Sequence, residues 1–159
     1  MNYFELFGIP ASLNPDKSVL AKKYFELQKK YHPDFYTQQD ESEQEDSLEK
    51  SSIINKAFKT LKSQDETIKY VLLQKGLLEE EEKYQLPPDF LMEVMELNEN
   101  LSAASETAIK NFENDIYSDV KDIVDKYDDS KITTAELLKI KDYYFKKKYL
   151  HRILERLDG

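Results

Sequence analysis

The chain has 159 residues, 40% of them hydrophobic, 35% charged, with a net charge of −9. That is enough apolar material for one domain or two small ones, and the wrong sign for a general nucleic-acid binder, whose phosphate partner demands clustered Lys and Arg. Cysteine is absent and glycine occurs three times, so disulfides, thiol nucleophiles, Cys-held metals and Gly-rich phosphate loops are all excluded.

No apolar run approaches the roughly 20 residues that cross a bilayer. The opening Met1-Asn2-Tyr3-Phe4-Glu5 has neither a basic flank nor an apolar signal core, so the expectation is a cytoplasmic address with no membrane contact. Charge is divided unevenly. Residues 1–75 hold 11 Lys/Arg against 12 Asp/Glu, whereas residues 76–159 hold 12 against 20. Two units with different partners are the first inference.

In chain order, the periodicity is helical almost throughout. A short opening turn, Tyr3–Phe7, stops at Gly8 and Pro10. Asn14-Pro15-Asp16 then offers capping side chains, and the helix that follows repeats Leu20, Tyr24, Leu27 and Tyr31 on one face. Lys22, Lys23, Lys29 and Lys30 occupy its remaining surface, and Pro33 ends it because proline disfavours helix at the preceding residue. Thr37–Asp46 is polar, acidic and without an apolar anchor, which predicts an exposed loop. Helix resumes through Leu48, Ile54, Ala57, Phe58 and Leu61, and a fourth segment, about 65–75, ends at Gly76, a favoured C-terminal stop. Two apolar helices around an exposed tip make an antiparallel hairpin, with the short first and fourth helices covering its open face.

The run Glu79–Glu82 and the pair Pro87-Pro88 set residues 77–87 apart as a linker. Beyond it come three amphipathic segments: about 88–101; one carrying Ile109, Phe112, Ile116, Val120, Ile123 and Tyr127; and one opening on Thr133-Thr134-Ala135-Glu136, a capping-box spacing, and running to about 157. Three such helices favour a small bundle. The expected class is therefore all-α, a helical hairpin followed by a three-helix bundle, with units 1–76 and 88–159.

His32-Pro33-Asp34 stands at the end of the lysine-bearing helix, before the acidic stretch. Proline stiffens such a tip, a carboxylate accepts a forked bond from arginine, and imidazole offers two distinct nitrogens. Alone, the tripeptide reads equally as a helix stop followed by a turn. No Ser, Cys or metal-ligand partner accompanies His32, and His151 is the only other histidine, so enzymatic chemistry is not expected.

The flanking residues are more specific. A Tyr-Phe-Glu-Leu-Phe-Gly opening, a basic helix ending Tyr31-His32-Pro33-Asp34, and Asn55-Lys56-Ala57-Phe58-Lys59-Thr60-Leu61, all in order over residues 1–76, closely resemble the J-domain family. The resemblance implies a helical hairpin that stimulates ATP hydrolysis by a DnaK-type chaperone. His32, Pro33 and Asp34 would dock where the chaperone's two domains meet, and Lys22, Lys23, Lys29 and Lys30 would lie on its acidic surface. Many family members carry a basic residue directly after the motif, where this chain has Phe35.

The second unit has neither a Gly/Phe-rich linker nor a Cys-rich module. At about 100° per residue, Phe90, Val94, Leu97 and Leu101 share one face of its first helix; Met92, Met95, Glu96 and Glu99 share roughly the opposite one, with Leu91 beside them. A bundle buries one face, so the Met/Glu face is expected to meet water or a partner; the alternative for both methionines is simple core filling. This segment resembles the HscB co-chaperones, in which a Leu-Met pair and following carboxylates bind the iron–sulfur scaffold IscU. The matching positions are Leu91, Met92, Met95, Glu96 and Glu99. Tyr149 is the matching aromatic, open between a client-facing and a core role. Where the family has a further acidic residue this chain has Ala103, so its acidic stripe is shorter. The resemblance implies no cofactor and no metal in this chain, and two partners: a DnaK- or HscA-type chaperone and an IscU-type scaffold. Delivery of an unrelated client, or a helical adaptor without chaperone activity, remain the alternatives.

Overall fold

A computed structural model describes residues 2–32, 34, 40–98 and 103–158 of the chain. Among them there are eight helices and no strand, as the helical periodicity requires. They form two compact units, Met1–Tyr70 and Val71–Gly159.

In the first unit, α1 (Tyr3–Phe7) is capped by the Asn2 side chain, which accepts the Glu5 N–H at 2.8 Å. It stops at Gly8, whose φ of 65° is the left-handed conformation that a side chain resists. α2 (Lys17–Tyr31) starts where the sequence places it: the Asp16 carboxylate accepts the Val19 N–H at 3.0 Å. α3 (Glu41–Leu61) starts earlier than the acidic composition suggests, because Asp40 caps it through the Glu43 N–H. Glu41 and Glu43 then sit in the first turn, where the helix dipole favours negative charge. Residues 41–46 are thus helix, not loop, and the nearest anchor is not apolar but the small buried Ser47. Leu48, expected on the apolar face, is exposed.

α2 and α3 pair antiparallel, as their cross-links show. The Tyr24 ring stacks on Phe58 at 4.2 Å, and its hydroxyl donates to Asn55 Oδ1 at 2.7 Å. One turn on, Gln28 donates through Nε2 to the same oxygen and accepts from the Ser51 hydroxyl. Buried Leu20, Ile54, Ala57 and Leu61 line the core side; full burial of each leucine or isoleucine contributes about 1.5–3 kcal/mol. α1 packs on both helices, and Tyr3 stacks on Tyr70 at 4.5 Å while its N–H donates to the Tyr70 hydroxyl. The division between units falls inside α4 (Gln64–Gln74), which ends before Gly76 at φ 70°.

The second unit is built from α5 (Pro88–Asn98), α6 (Ala103–Ser118), α7 (Lys121–Asp125) and α8 (Thr134–Asp158). α5, α6 and α8 pack pairwise around Phe90, Val94, Ile109, Ile116, Ile140, Leu150 and Ile153. The long middle segment read from the sequence is broken into α6 and α7. The Val120 N–H bonds three residues back, to Tyr117, and the Ser118 hydroxyl donates to the Asp115 carbonyl, so local bonds replace the helical ladder there. The capping box of α8 is present: Thr133 and Glu136 exchange backbone-to-side-chain bonds at 3.2 and 3.1 Å. Residues 82 and 84 are not extended into solvent. Glu82 pairs with Lys141 at 2.7 Å, and Tyr84 stacks on Phe145 at 4.5 Å while donating to Asp142.

Candidate functional site

Two surfaces carry the residues that the sequence singles out, one on each unit. The first is the end of α2. His32 is the C-cap, its N–H bonded to the Gln28 carbonyl at 2.8 Å and its backbone extended (φ −62°, ψ 134°), as a residue before proline must be. Pro33 itself lies outside the described residues. The Asp34 N–H donates to His32 Nδ1 at 3.2 Å, and the Asp34 carboxylate lies 3.6 Å from the same nitrogen. The side chains of His32 and Asp34 are 46% and 84% exposed; neither is held in the interior of its own unit.

The lysines of α2 do not form a single stripe. Lys22 and Lys29 lie seven residues apart on one face, and Lys23 and Lys30 are rotated by about 100° on the next. Lys22, Lys29 and Lys30 are exposed and Lys23 is half-buried. The Lys30 ammonium lies 5.2 Å from the Tyr31 ring centre. Among the described residues, Lys22, Lys23 and Lys29 have no carboxylate within ion-pair reach.

The second surface is the outward side of α5. Phe90 and Val94 are buried, Phe90 against Phe112 at 5.6 Å with the Lys146 ammonium over its ring at 5.5 Å. Met92 and Met95 are 63% and 66% exposed, and Glu96 is exposed with them. Core filling is therefore not what these methionines do. Leu91 is half-buried at the edge. Glu99 and Leu101 lie outside the described residues, as does the side chain at Ala103. Tyr149 is half-buried and meets the buried Phe90 edge-on at 6.2 Å.

The shifted titrations lie away from both surfaces. Ion pairing with Lys141 holds Glu82 below the usual carboxylate range; Asp129 is lowered likewise by Lys75 and the Tyr127 hydroxyl. Burial, then the Asp142 carboxylate, pushes the Tyr84 phenol up to about 12. Among the described residues no group of three or more His, Cys, Asp or Glu is arranged to hold a metal, and no helix is long and apolar enough to cross a membrane.

Sequence reasoning passed over Phe25, which is exposed. Its signal was an aromatic residue off the 20-24-27-31 face. It also passed over the Tyr24–Gln28–Ser51–Asn55 network, which no periodicity encodes.

The profile of the HSCB C-terminal oligomerisation domain matches residues 86–158. The iron–sulfur cluster co-chaperone protein HscB of Homo sapiens is 31% identical over 158 residues, covering 98% of this chain and 67% of that protein. The chain belongs to the HscB co-chaperone family. An HscB homologue of Vibrio parahaemolyticus is 40% identical over 102 residues, 64% of this chain and 60% of that protein; the chain matches somewhat under two thirds of that relative's length. Two solved HscB structures share the fold. Human HscB superposes with a TM-score of 0.80 at 26% identity, over 99% of this chain and 81% of that one. HscB of Vibrio cholerae gives 0.68 at 29% identity, over 99% and 96%.

Proposed function

We propose that this HscB-family chain is a non-enzymatic co-chaperone in iron–sulfur cluster assembly, stimulating the ATPase of a DnaK- or HscA-type chaperone and delivering an IscU-type scaffold to it. The observation that carries the reading is the outward side of α5. Met92, Met95 and Glu96 stand exposed, back to back with buried Phe90 and Val94, so the bundle is complete without them. Thioethers are adaptable contact surface and the carboxylates orient a partner. Leu91 and Tyr149 would border this patch, and Glu99 would extend it. Residues 1–76 act as the J-domain, with His32, Pro33 and Asp34 at the chaperone contact and Lys22, Lys23, Lys29 and Lys30 steering encounter. Residues 88–159 receive the scaffold. Residues 77–87 join the two, and Glu82 and Tyr84 tie the end of that segment to α8. The site of action is the cytoplasm.

A steady-state ATPase assay with chaperone and scaffold, each present or omitted, tests the reading. The expected result is stimulation by the chain alone and a larger rate with both partners. Stimulation without any scaffold effect would point to an unrelated client, and absence of stimulation would leave only a helical adaptor.

A further inference from the structure

One apolar side chain of the first unit is used by nothing in that unit. Phe25 is 67% exposed, more than Met92 or Met95, and it sits mid-helix in α2, whose ends are both capped. At about 100° per residue it is turned by roughly 120–160° from Leu20, Leu27 and Tyr31, which face the hairpin core. Its neighbours on the helix surface are Lys22, one turn before, and Lys29, one turn after. Neither lysine has an acidic partner among the described residues. α2 holds five lysines and one carboxylate, Glu26, in a chain of net charge −9.

We infer that Phe25 is the apolar anchor of the α2 docking surface, seated in a socket on an acidic protein partner whose carboxylates flank it about one helical turn to either side. The inference rests on the co-chaperone reading, and the partner is the DnaK-type chaperone. Charge complementarity selects it: a phenyl ring between two unpaired cations fits an apolar depression with an acidic rim, and it fits neither a basic nor a wholly apolar surface. The division of labour follows from range. Lysine charge acts over about 8 Å in physiological salt and sets the rate of encounter. A buried ring acts only at contact and sets how long the complex lasts. Phe25 thus determines residence and partner choice, while His32-Pro33-Asp34 transmits the stimulus.

The test uses the full chain with a bacterial DnaK-type chaperone, comparing wild type, Phe25→Ala, Phe25→Leu and His32→Gln. Circular dichroism should be the same for all four, because neither substituted side chain supports the core. For Phe25→Ala the concentration giving half-maximal ATPase stimulation should rise at least about fivefold, through faster dissociation in stopped flow. The salt dependence of association and the maximal stimulation should stay as in wild type, and Phe25→Leu should recover part of the loss. If Phe25→Ala behaves as wild type while His32→Gln is inactive, Phe25 is idle and the co-chaperone reading stands without it. If wild type stimulates no DnaK-type chaperone, that reading falls and takes the anchor with it. Self-association of wild type in sedimentation, abolished by Phe25→Ala, would assign this face to a second copy of the chain and overturn chaperone docking.

Discussion

α2 of the first unit and α8 of the second use lysine in opposite ways. On α2, Lys22, Lys23 and Lys29 have no carboxylate partner among the described residues. In the second unit, Lys141 is 2.7 Å from Glu82, Lys146 is 2.7 Å from Asp142, and Lys147 shares Glu113 with His151. The lysines of those pairs are largely shielded, and two of their ammonium groups also lie over aromatic rings, Lys141 over Tyr84 at 5.6 Å and Lys146 over Phe90 at 5.5 Å. A lysine whose charge is answered within its own fold helps hold that fold. One whose charge is unanswered at a helix surface is available to a partner's acid. The apolar residues repeat the contrast: Phe90 and Phe25 are both phenylalanines on helices, one buried and one exposed.

The sharpest way to break this contrast is His32→Gln. Stimulation of the chaperone ATPase should vanish while the melting curve stays put, because the ring lies at an exposed helix end, against Asp34, and outside the core of its unit. A folded mutant with normal stimulation would remove the tip from the docking surface.

Next in size comes Phe90→Ala, which empties a fully packed site and should lower stability by about 3–5 kcal/mol. Met92→Ala/Met95→Ala on the same helix should change stability by no more than about 0.5 kcal/mol, yet weaken scaffold binding at least about tenfold, roughly 1.4 kcal/mol. Leu91→Ala should fall between, since that side chain is half-buried. Thermal melts and titration calorimetry read both quantities. A large drop in melting temperature for the methionine pair would mean that α5 needs its outer face to fold.

A smaller effect is expected from Lys22→Ala/Lys29→Ala. Chaperone association should slow several-fold at low salt and converge on wild type as salt rises, with dissociation little changed. Stopped-flow mixing across a salt series checks it; a loss confined to dissociation would overturn the steering role.

The smallest is a pH effect belonging to the second unit. Glu82 and Asp129 are held below their ordinary values of 4.5 and 3.8. The unfolded chain therefore binds protons at those carboxylates before the folded one does. Their contribution is present above about pH 4.5 and is lost as pH falls through and below 4. Glu82→Gln should flatten the acid limb of the stability profile, and an unchanged limb would show that the Lys141 pair does not act in this way.

How much of this was legible beforehand differs by kind of interaction. Caps, stops and faces are local, so Asp16, Gly8, Gly76 and the Thr133/Glu136 box could be read directly, as could the opposition of Phe90 and Val94 to Met92 and Met95. The start of α3 is hidden by composition, because its acidic first turns resemble a solvated loop, although Asp40 three residues before Glu43 is a cap. The break at Val120 was missed because an apolar period of 3.6 continues across a tight turn that keeps the same face inward.

Sequence alone determined the helical class, the two-part division of charge, and the inward faces of α2 and α5, since these follow from side-chain periodicity and from capping chemistry within a few residues. Tertiary structure alone decided three things: that Gln28 and Asn55 lock the hairpin, that Tyr149 leans on Phe90, and that Lys141 and Lys147 of α8 find Glu82 and Glu113 while, among the described residues, Lys22, Lys23 and Lys29 of α2 have no carboxylate in ion-pair reach. Each of these depends on groups 27 to 59 residues apart meeting in space, and no local pattern carries that distance.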